Sequence, residues 1–266
     1  MTLVEAYVKR AVLGVQEYFI LTVKAVRYIG SRPFYWRDTI QQMDVIGVGS
    51  LGIVLLTGLF TGMVLALQSS IEMKRFGASI YIGRLVGASA VRELGPVLTA
   101  LMVAGRVGSG MAAQLGSMKV TEQIDALNVI GTDPIKKLVT PRLVAALIML
   151  PLLTVITDIV AIFGGMMIAT IKLDLTTDLY MRSVYETLAG SGFVFGVVPK
   201  DVLGGLIKPF FFGGIIAMTG CYFGLQTRGG TEGVGVSTTR AVVTASILIL
   251  AVDYFLTQLM ITFLFD

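Results

Sequence analysis

The chain has 266 residues, of which 55% are hydrophobic and 14% are charged. Soluble globular domains carry about 25% charged residues, so this composition excludes an ordinary soluble protein. Histidine is absent and Cys221 is the single cysteine, which excludes an internal disulfide and a zinc site of several Cys and His ligands. The formal net charge is +4. In a membrane protein, an excess of basic residues indicates cytoplasmic loops, so we do not interpret it as a nucleic-acid-binding surface.

Residues 1–44 are predicted to form an N-terminal interfacial and elbow region. Polar residues recur about every seven positions, at Lys9 and Arg10, Gln16 and Glu17, and Lys24 and Arg27. This spacing gives one polar stripe on an apolar helix, which is typical of a helix lying in the membrane interface. A short first membrane span is the alternative. Residues 32–37 then combine a proline break with aromatic and basic side chains, which suits the headgroup layer.

Five long apolar segments follow within residues 45–266. The first, from Val45 to Ile71, contains 27 consecutive residues without a charge. At 1.5 Å per residue this helix is roughly 40 Å long, which exceeds the ~30 Å hydrocarbon core of a bilayer. The other four run approximately over 84–116, 141–171, 203–227 and 240–265. The sequence therefore predicts an all-α polytopic membrane protein, with an N-terminal interfacial helix plus five transmembrane helices.

Lysine and arginine are unevenly divided between the two sets of loops. With a cytoplasmic N-terminus, twelve basic residues lie on the cytoplasmic side: Lys9, Arg10, Lys24, Arg27, Arg32, Arg37, Lys119, Lys136, Lys137, Arg142, Arg228 and Arg240. Six lie on the opposite side: Lys74, Arg75, Lys172, Arg182, Lys200 and Lys208. This bias predicts a multi-pass protein of a bacterial inner membrane with its N-terminus in the cytoplasm and its C-terminus in the periplasm.

Small residues recur four positions apart within the spans. The pairs are Gly58 and Gly62, Gly83 and Gly87, Ala112 and Gly116, and Gly220 and Gly224. Such pairs let helix backbones approach closely in a membrane, where no hydrophobic force drives helices together. They indicate tight helix packing and favour a dimer, without pointing to a function.

The segment between the second and third spans, about 119–142, is predicted to form a short amphipathic helix on the cytoplasmic side. Four apolar residues fall at helical spacing, namely Val120, Ile124, Leu127 and Ile130. Gly131 suits the end of a helix, and Asp133-Pro134 reads as an N-cap followed by proline at the first helical position. Transport ATPases drive permeases by binding such a helix in a groove. An interfacial helix without a partner is the alternative, and geometry alone favours neither.

Several ionisable residues lie inside the predicted spans. Arg92 and Glu93 are adjacent in the second span, and a charge at the bilayer centre costs about 2.5–3.5 kcal/mol, so such residues are usually paired and line a cavity. Their side chains are expected to point about 100° apart, so both cannot face one groove squarely. Arg106, Asp158 and Asp253 are interpreted as structural charges, with Arg106 and Asp253 at matching depths as a candidate pair.

A set of short motifs in order along the chain resembles the MlaE/YrbE family of ABC transporter permeases. These motifs are Arg92-Glu-Leu-Gly-Pro96, Ala104-Gly-Arg-Val-Gly108, Thr121-Glu-Gln123, Asp133-Pro134, Pro141-Arg142, Leu150-Pro-Leu-Leu-Thr154, Gly220-Cys-Tyr and Gly229-Gly-Thr-Glu-Gly233. Each is short, but their order and spacing from about Gly58 to Asp253 are specific together. The resemblance implies a permease that moves phospholipids or related lipids between inner and outer membranes with an MCE-domain periplasmic protein.

The resemblance also implies partners and candidate site residues. The expected assembly is a homodimer with two ABC ATPase subunits below and a ring of MCE subunits outside. The family's coupling helix corresponds to about 119–131, with Glu122, Gln123 and Asp125 as candidate ATPase contacts. In the family the region of Arg92 and Glu93 borders an outward-facing lipid cavity. The expected lipid pathway therefore combines these two residues with three apolar residues of the first span: Met63, Leu67 and Ile71.

The chain itself is predicted to be neither an enzyme nor a cofactor-binding protein. It contains no Gly-Lys dipeptide and hence no phosphate-binding P-loop, so ATP is expected to bind a separate subunit. The alternative to an ABC permease is a secondary, ion-coupled transporter that uses Glu93, Asp158 and Asp253 as relays. An intramembrane metalloprotease of the H-E-x-x-H type is excluded because histidine is absent. For Arg92 and Glu93 an intramembrane structural ion pair remains an open alternative.

Overall fold

The computed structural model describes residues 3–190, 192–194 and 198–265. The N-terminal helix α1 (Leu3–Arg27) is followed by α2 (Trp36–Arg75), α3 (Ile82–Ser89), α4 (Gly95–Val103), α5 (Ser109–Val120), α6 (Gln123–Val129), α7 (Thr140–Leu173), α8 (Thr177–Gly190), α9 (Lys200–Leu225) and α10 (Gly230–Met260). Two two-residue strands, β1 (Phe193–Val194) and β2 (Val198–Pro199), form an antiparallel pair between α8 and α9.

Five helical segments of the described chain are long and apolar enough to cross a membrane. They are Trp36–Arg75, Ser79–Val120, Ile135–Leu173, Lys200–Leu225 and Gly230–Phe263. Each contains most of one predicted apolar segment, and the N-terminal helix α1 is not among them. The predicted all-α architecture of an N-terminal helix and five spans is confirmed. The helices begin before the predicted starts, because a helix can continue into the polar headgroup layer.

The second span is assembled from three α-helices, α3, α4 and α5, joined by two π-helical turns. The first turn covers Ala90–Leu94 and the second Ala104–Gly108. Pro96 lies directly after the first turn, and it has no N–H to donate to the carbonyl of Arg92, four residues earlier. Such a site favours a local rearrangement of the helix, and π-turns frequently occur at functional sites.

The chain divides into two compact units. One consists of Met1–Ile46, Ala104–Ala146 and Gly214–Ile247, and the other of Gly47–Val103, Leu147–Gly213 and Leu248–Asp266. The first contains the N-terminal helix and α6, and the second contains the first π-turn and the cavity beside it.

Glycines bring helix pairs into backbone contact within each unit. In the second unit a Cβ on Gly62 of α2 would lie 1.8 Å from the carbonyl oxygen of Ala161 in α7. In the first unit a Cβ on Gly224 of α9 would lie 2.7 Å from Leu115 Cβ in α5. The small-residue pairs therefore serve packing within one chain, so they are no evidence for contacts between two copies.

Candidate functional site

A cavity of about 510 Å³ lies in the second unit, beside the first π-turn of the second span. The second span, α9 and the end of α10 each contribute to its lining. The lining residues are Ala88, Ser89, Arg92, Glu93, Asp201, Gly204, Gly205, Lys208, Thr257, Met260 and Ile261. Its size is within the ~300–1,000 Å³ that is typical of small-molecule sites. Four of its residues are ionisable, namely Arg92, Glu93, Asp201 and Lys208, which is unusual inside a membrane span.

Lys208 is the centre of this charged cluster. Its side chain is 2% exposed, and its Nζ lies 2.7 Å from Glu93 Oε2 and 3.1 Å from Asp253 Oδ1. The same Nζ donates a hydrogen bond of 3.0 Å to the carbonyl oxygen of Arg92. Thr257 Oγ1 donates to the other carboxylate oxygen of Glu93, at 3.3 Å. Two carboxylates and a backbone carbonyl thus compensate one buried cation, as a low-dielectric site requires.

The bond from Lys208 to the Arg92 carbonyl follows from the sequence around Pro96. In a regular helix residue 96 would donate its N–H to this carbonyl, but proline has none. Lys208 supplies the missing donor. Gly205 makes the approach possible, because a Cβ there would lie only 2.4 Å from the carbonyl oxygen of Val91. The backbones of α9 and the π-turn therefore meet at a position that admits only glycine.

A second ion pair joins the same elements. Arg92 Nη2 lies 2.8 Å from Asp201 Oδ2, and the Asp201 side chain is fully buried while that of Arg92 is 43% exposed. Asp201, Gly205 and Lys208 are three or four residues apart, so they share the face of α9 that meets the π-turn. The Glu93 side chain is also 43% exposed. The cavity therefore presents one cationic and one anionic group, each backed by a buried partner.

Arg92 and Glu93 both line this cavity, although adjacent residues of a regular helix point about 100° apart. The expectation that they could not share one groove was wrong. Both residues belong to the π-turn, in which the angular spacing of side chains differs from that of an α-helix. Each residue also has its own partner, Asp201 for Arg92 and Lys208 for Glu93.

The cytoplasmic helix predicted between the second and third spans lies in the first unit. The range 119–131 is divided: α5 continues to Val120, Glu122 adopts a left-handed backbone with φ of 60°, and α6 begins at Gln123. The side chains of Glu122, Gln123 and Asp125 are exposed, and Lys119 Nζ lies 2.9 Å from both carboxylate oxygens of Asp125. Asp125 is therefore partly engaged within the chain.

The apolar residues of this helix are arranged differently from the expectation. Ile124 is buried, whereas Val129 is 87% and Ile130 is 72% exposed. Val120, expected on the buried face, is 38% exposed. The turn after Val120 rotates α6 relative to α5, so the helical spacing counted through 119–131 does not apply. Two large apolar side chains are therefore exposed at the end of α6. The sequence placed Ile130 on the apolar face of the helix and gave no role to Val129.

Comparison with known proteins identifies the family at this point. The family model described as permease MlaE matches residues 39–259, a range that includes most of each of the five spans and all of the charged cluster. The chain belongs to the MlaE permease family. The resemblance found in the short sequence motifs is confirmed.

Three relatives show how far the similarity of this MlaE-family chain extends. A probable ABC transporter permease protein of Rickettsia bellii is 42% identical over 250 residues, which cover 94% of this chain and 93% of that protein. The intermembrane phospholipid transport system permease protein MlaE of Haemophilus influenzae is 37% identical, over 83% and 82% of the two chains. The protein TRIGALACTOSYLDIACYLGLYCEROL 1, chloroplastic, of Arabidopsis thaliana is 37% identical, over 90% of this chain and 66% of that protein.

The apolar residues assigned to the lipid pathway lie outside the described lining of the MlaE-family cavity. Met63 is half-buried, and Leu67 and Ile71 are 41% and 59% exposed on α2. The lining comes from the second, fourth and fifth spans. Sequence alone does not show which helices surround the ionisable residues.

Two of the charges interpreted as structural have partners that the sequence did not indicate. Asp253 pairs with Lys208, and Arg106 Nη1 donates a hydrogen bond of 3.1 Å to the carbonyl oxygen of Val45. Arg106 lies in the first unit and Asp253 in the second, so their pairing stays a prediction. Asp158 packs against Gly95, where a Cβ would lie 1.7 Å from Asp158 Oδ1. Asp158 is absent from the described cavity lining, so Glu93, Asp158 and Asp253 do not form one relay there.

Sequence reasoning missed Asp201, Lys208 and Thr257. Lys208 was counted among the loop residues outside the membrane, but it lies in α9 and is buried. One signal for it was available: Pro209 follows directly and begins the charge-free run, and a lysine one residue before such a run is a candidate for burial. Asp201 and Thr257 carry no comparable signal.

Proposed function

We propose that this MlaE-family chain is the membrane-spanning subunit of an ABC transporter for phospholipids or related lipids. The observation that carries the proposal is the charged cavity. Arg92 and Glu93 line it with partly exposed side chains, and each forms an ion pair with a buried residue, Asp201 or Lys208. A guanidinium binds phosphate through two parallel hydrogen bonds, and a carboxylate accepts hydrogen bonds from an ammonium group. A zwitterionic phospholipid headgroup carries both groups. The names of the relatives from Haemophilus influenzae and Rickettsia bellii support the cargo and the transporter class, respectively.

The apolar end of the cavity is suited to the first part of an acyl chain. Met260 and Ile261 contribute to the lining, and Ile261 is 53% exposed. In this proposal the headgroup occupies the charged end, while the acyl chains extend along these residues toward the apolar surface. Met63, Leu67 and Ile71 remain a proposal for acyl contacts farther along the pathway, outside the cavity itself.

The energy source of the proposed transporter is a separate ATPase subunit that binds α6. Glu122, Gln123 and Asp125 remain candidate contacts, since all three are exposed. Val129 and Ile130 are added as apolar anchors, because burying an aliphatic side chain contributes about 1.5–3 kcal/mol. The remaining partners are a second copy of the chain and a periplasmic MCE-domain protein, in a bacterial inner membrane with the N-terminus in the cytoplasm.

Co-purification tests the ATPase partner. A tagged chain, extracted from membranes with its natural operon expressed, is expected to retain a stoichiometric ATPase subunit. The double variant Val129→Ser with Ile130→Ser is expected to lose most of that subunit, because two apolar anchors are removed. Ala126→Ser, a small change at an exposed position of the same helix, is the matched control. Transport that proceeds at the normal rate without any ATPase would overturn the proposal in favour of an ion-coupled carrier.

Mass spectrometry of co-extracted lipids tests the cavity. The wild-type chain is expected to retain phospholipid, and Arg92→Gln or Glu93→Gln to reduce the retained amount and the transport rate with the assembly intact. Arg182→Gln, which alters an exposed arginine of α8 outside the cavity lining, is the control. Normal lipid retention and transport in both cavity variants would show that the pair is structural only.

A further inference from the structure

The chain segment after α6 is tied to the segment before α2 by side-chain contacts within the first unit. We define the elbow as residues 25–38 and the post-coupling segment as residues 133–140. Asp133, Lys136, Lys137 and Thr140 of the second segment each contact the elbow. The two segments are about a hundred residues apart in the sequence, so these contacts are tertiary and not a consequence of local folding.

The connection from α6 to Asp133 is short and fully hydrogen-bonded. Gly131, with φ of 77°, donates its N–H to the Asn128 carbonyl, and Thr132 donates to the Leu127 carbonyl at 2.9 Å. These two bonds form the Schellman arrangement, which closes the end of a helix. Asp133 follows at once and accepts the N–H of Ile135 through Oδ1, at 2.8 Å. A displacement of α6 therefore moves Asp133 with it, because no flexible linker separates them.

Asp133 uses its second carboxylate oxygen to bind the elbow. Tyr28 donates its hydroxyl to Asp133 Oδ2 at 2.7 Å. This hydrogen bond raises the pKa of Tyr28 above its ordinary value, as expected when a neutral donor faces a carboxylate. One side chain thus caps the helix that enters the third span and holds the turn that follows α1.

The two lysines that follow contact the elbow on both sides of its proline. Lys137 forms an ion pair with Asp38 in the first turn of α2, and its Nζ lies 4.3 Å from the centre of the Tyr35 ring. Lys136 donates to the carbonyl of Arg32, and its Nζ lies 5.8 Å from the Tyr28 ring centre. Cation–π geometry of this kind adds to each contact. The post-coupling segment is therefore bound to the ends of both α1 and α2.

We propose that Tyr28, Asp133, Lys137 and Asp38 are positioning residues that make the elbow and the first turn of the first span follow α6 when the ATPase displaces it. The inference rests on the proposed function of α6. Covalent connection alone transmits movement of α6 to its neighbours in the chain, α5 and α7. The elbow contacts extend this movement to α1 and α2, which are distant in sequence. Removing them uncouples ATP hydrolysis from transport without removing the ATPase.

The decisive measurement is the number of lipids transported per ATP hydrolysed in proteoliposomes that contain the complete complex. Tyr28→Phe and Lys137→Gln are expected to lower this ratio, the double variant by at least about fivefold, which is the lower range of typical coupling free energies. ATPase binding and basal hydrolysis are expected to stay at the wild-type level. The double variant Asp38→Lys with Lys137→Asp exchanges the two charges of the ion pair and is expected to restore the ratio. Such a restoration would not occur if Lys137 acted only within its own segment.

The control is Arg84→Gln, which breaks an exposed ion pair with Glu186 of similar geometry, at 2.9 Å, in the second unit. Its ratio is expected to be unchanged. A wild-type ratio in both Tyr28→Phe and Lys137→Gln overturns the inference, as does an equal loss in the control. If the double variant does not assemble, Tyr28→Phe decides, because it removes a single hydroxyl. If the wild-type complex itself shows no ATP-driven transport, the proposed function is refuted. Failure of the proposed function is thus distinguishable from failure of the inference about the elbow.

Discussion

Lys208 lies at the centre of the charged cluster, and its removal leaves several groups without compensation. Its single ammonium contacts Glu93, Asp253 and the carbonyl oxygen of Arg92. Breaking a buried ion pair by removing one partner typically costs about 3–5 kcal/mol, since the remaining charge stays in a low-dielectric site. The role of Lys208 can therefore be measured through stability as well as through transport.

We expect Lys208→Met, which preserves the apolar stem but not the charge, to lower the free energy of unfolding by about 3 kcal/mol. Reversible unfolding by titration with a denaturing detergent measures the change. Lys172→Gln, at an exposed position, is the control and should lie within about 0.5 kcal/mol of the wild type. Adding Glu93→Gln and Asp253→Asn to Lys208→Met should recover part of the loss. A wild-type stability of Lys208→Met alone would contradict the buried cluster.

Tyr28 provides a pH-dependent test of the elbow contacts. Its hydrogen bond to Asp133 stabilises the neutral phenol and raises its pKa above the ordinary tyrosine value of 10.0. The contact therefore contributes stability that is fully present below the ordinary pKa and is lost as pH rises through the raised pKa. The difference in tyrosinate absorbance between the wild type and Tyr28→Phe should show one group titrating above pH 10.0. In an Asp133→Asn background this titration should move downward, and an unchanged midpoint would argue against the hydrogen bond.

At the scale of elements, close helix contacts depend on a few glycines. Gly62 of α2 leaves no room for a side chain, since a Cβ would meet the Ala161 carbonyl oxygen at 1.8 Å. Gly52 of the same helix has no atom within 4 Å of such a Cβ. The two glycines are indistinguishable by residue type and by their place in an apolar helix, so they form a matched pair for mutation.

Gly62→Ala should destabilise the protein by about 1–3 kcal/mol, the usual cost of overpacking, because backbone atoms of α7 must move. Gly52→Ala should be neutral or stabilising by up to about 1 kcal/mol, because alanine favours the helix. Thermal unfolding of the two purified variants in the same detergent measures both effects. Equal midpoints would mean that α2 and α7 do not approach as closely as described.

The π-turn of the second span bears on why both Arg92 and Glu93 line the cavity. A regular helix would separate the two side chains, but Pro96 disrupts the hydrogen-bond ladder and the preceding residues form a π-turn. The motif Arg-Glu-Leu-Gly-Pro, recognised from sequence as a family signature, thus has a physical role. Its proline leaves a carbonyl free for Lys208, and its arginine and glutamate place two opposite charges in the lining of one cavity.

At the scale of the whole molecule, the orientation of the five candidate spans of the described chain is a prediction. The excess of lysine and arginine in one set of loops predicts a cytoplasmic N-terminus, and an odd number of spans then predicts a periplasmic C-terminus. Alkaline phosphatase fused to the C-terminus of the chain should be active in a Gram-negative host, because it folds only in the periplasm. A fluorescent protein that folds only in the cytoplasm should fluoresce at the N-terminus and not at the C-terminus. The reverse result would invert the orientation.

The sequence by itself determined the membrane class, five spans, the MlaE family and the signals at the end of α6. Apolar runs, the Gly131 stop and the Asp133-Pro134 start are local patterns. An apolar run is stabilised by the lipid around it, and the ends of a helix by hydrogen bonds between neighbouring residues. Their positions could therefore be predicted, although the exact helix ends and the turn at Glu122 could not.

Only the tertiary structure decided the partners of the charges. Arg92 and Asp201 are 109 positions apart, and Tyr28 and Asp133 are 105 apart. Whether such residues meet depends on which helix faces are neighbours and on how closely glycines such as Gly205 let the backbones approach. Hydropathy and depth in the membrane contain no information about the rotation of one helix against another. For this reason the sequence did not identify Lys208 as the partner of Asp253, and Lys208, the centre of the cluster, was counted as a loop residue.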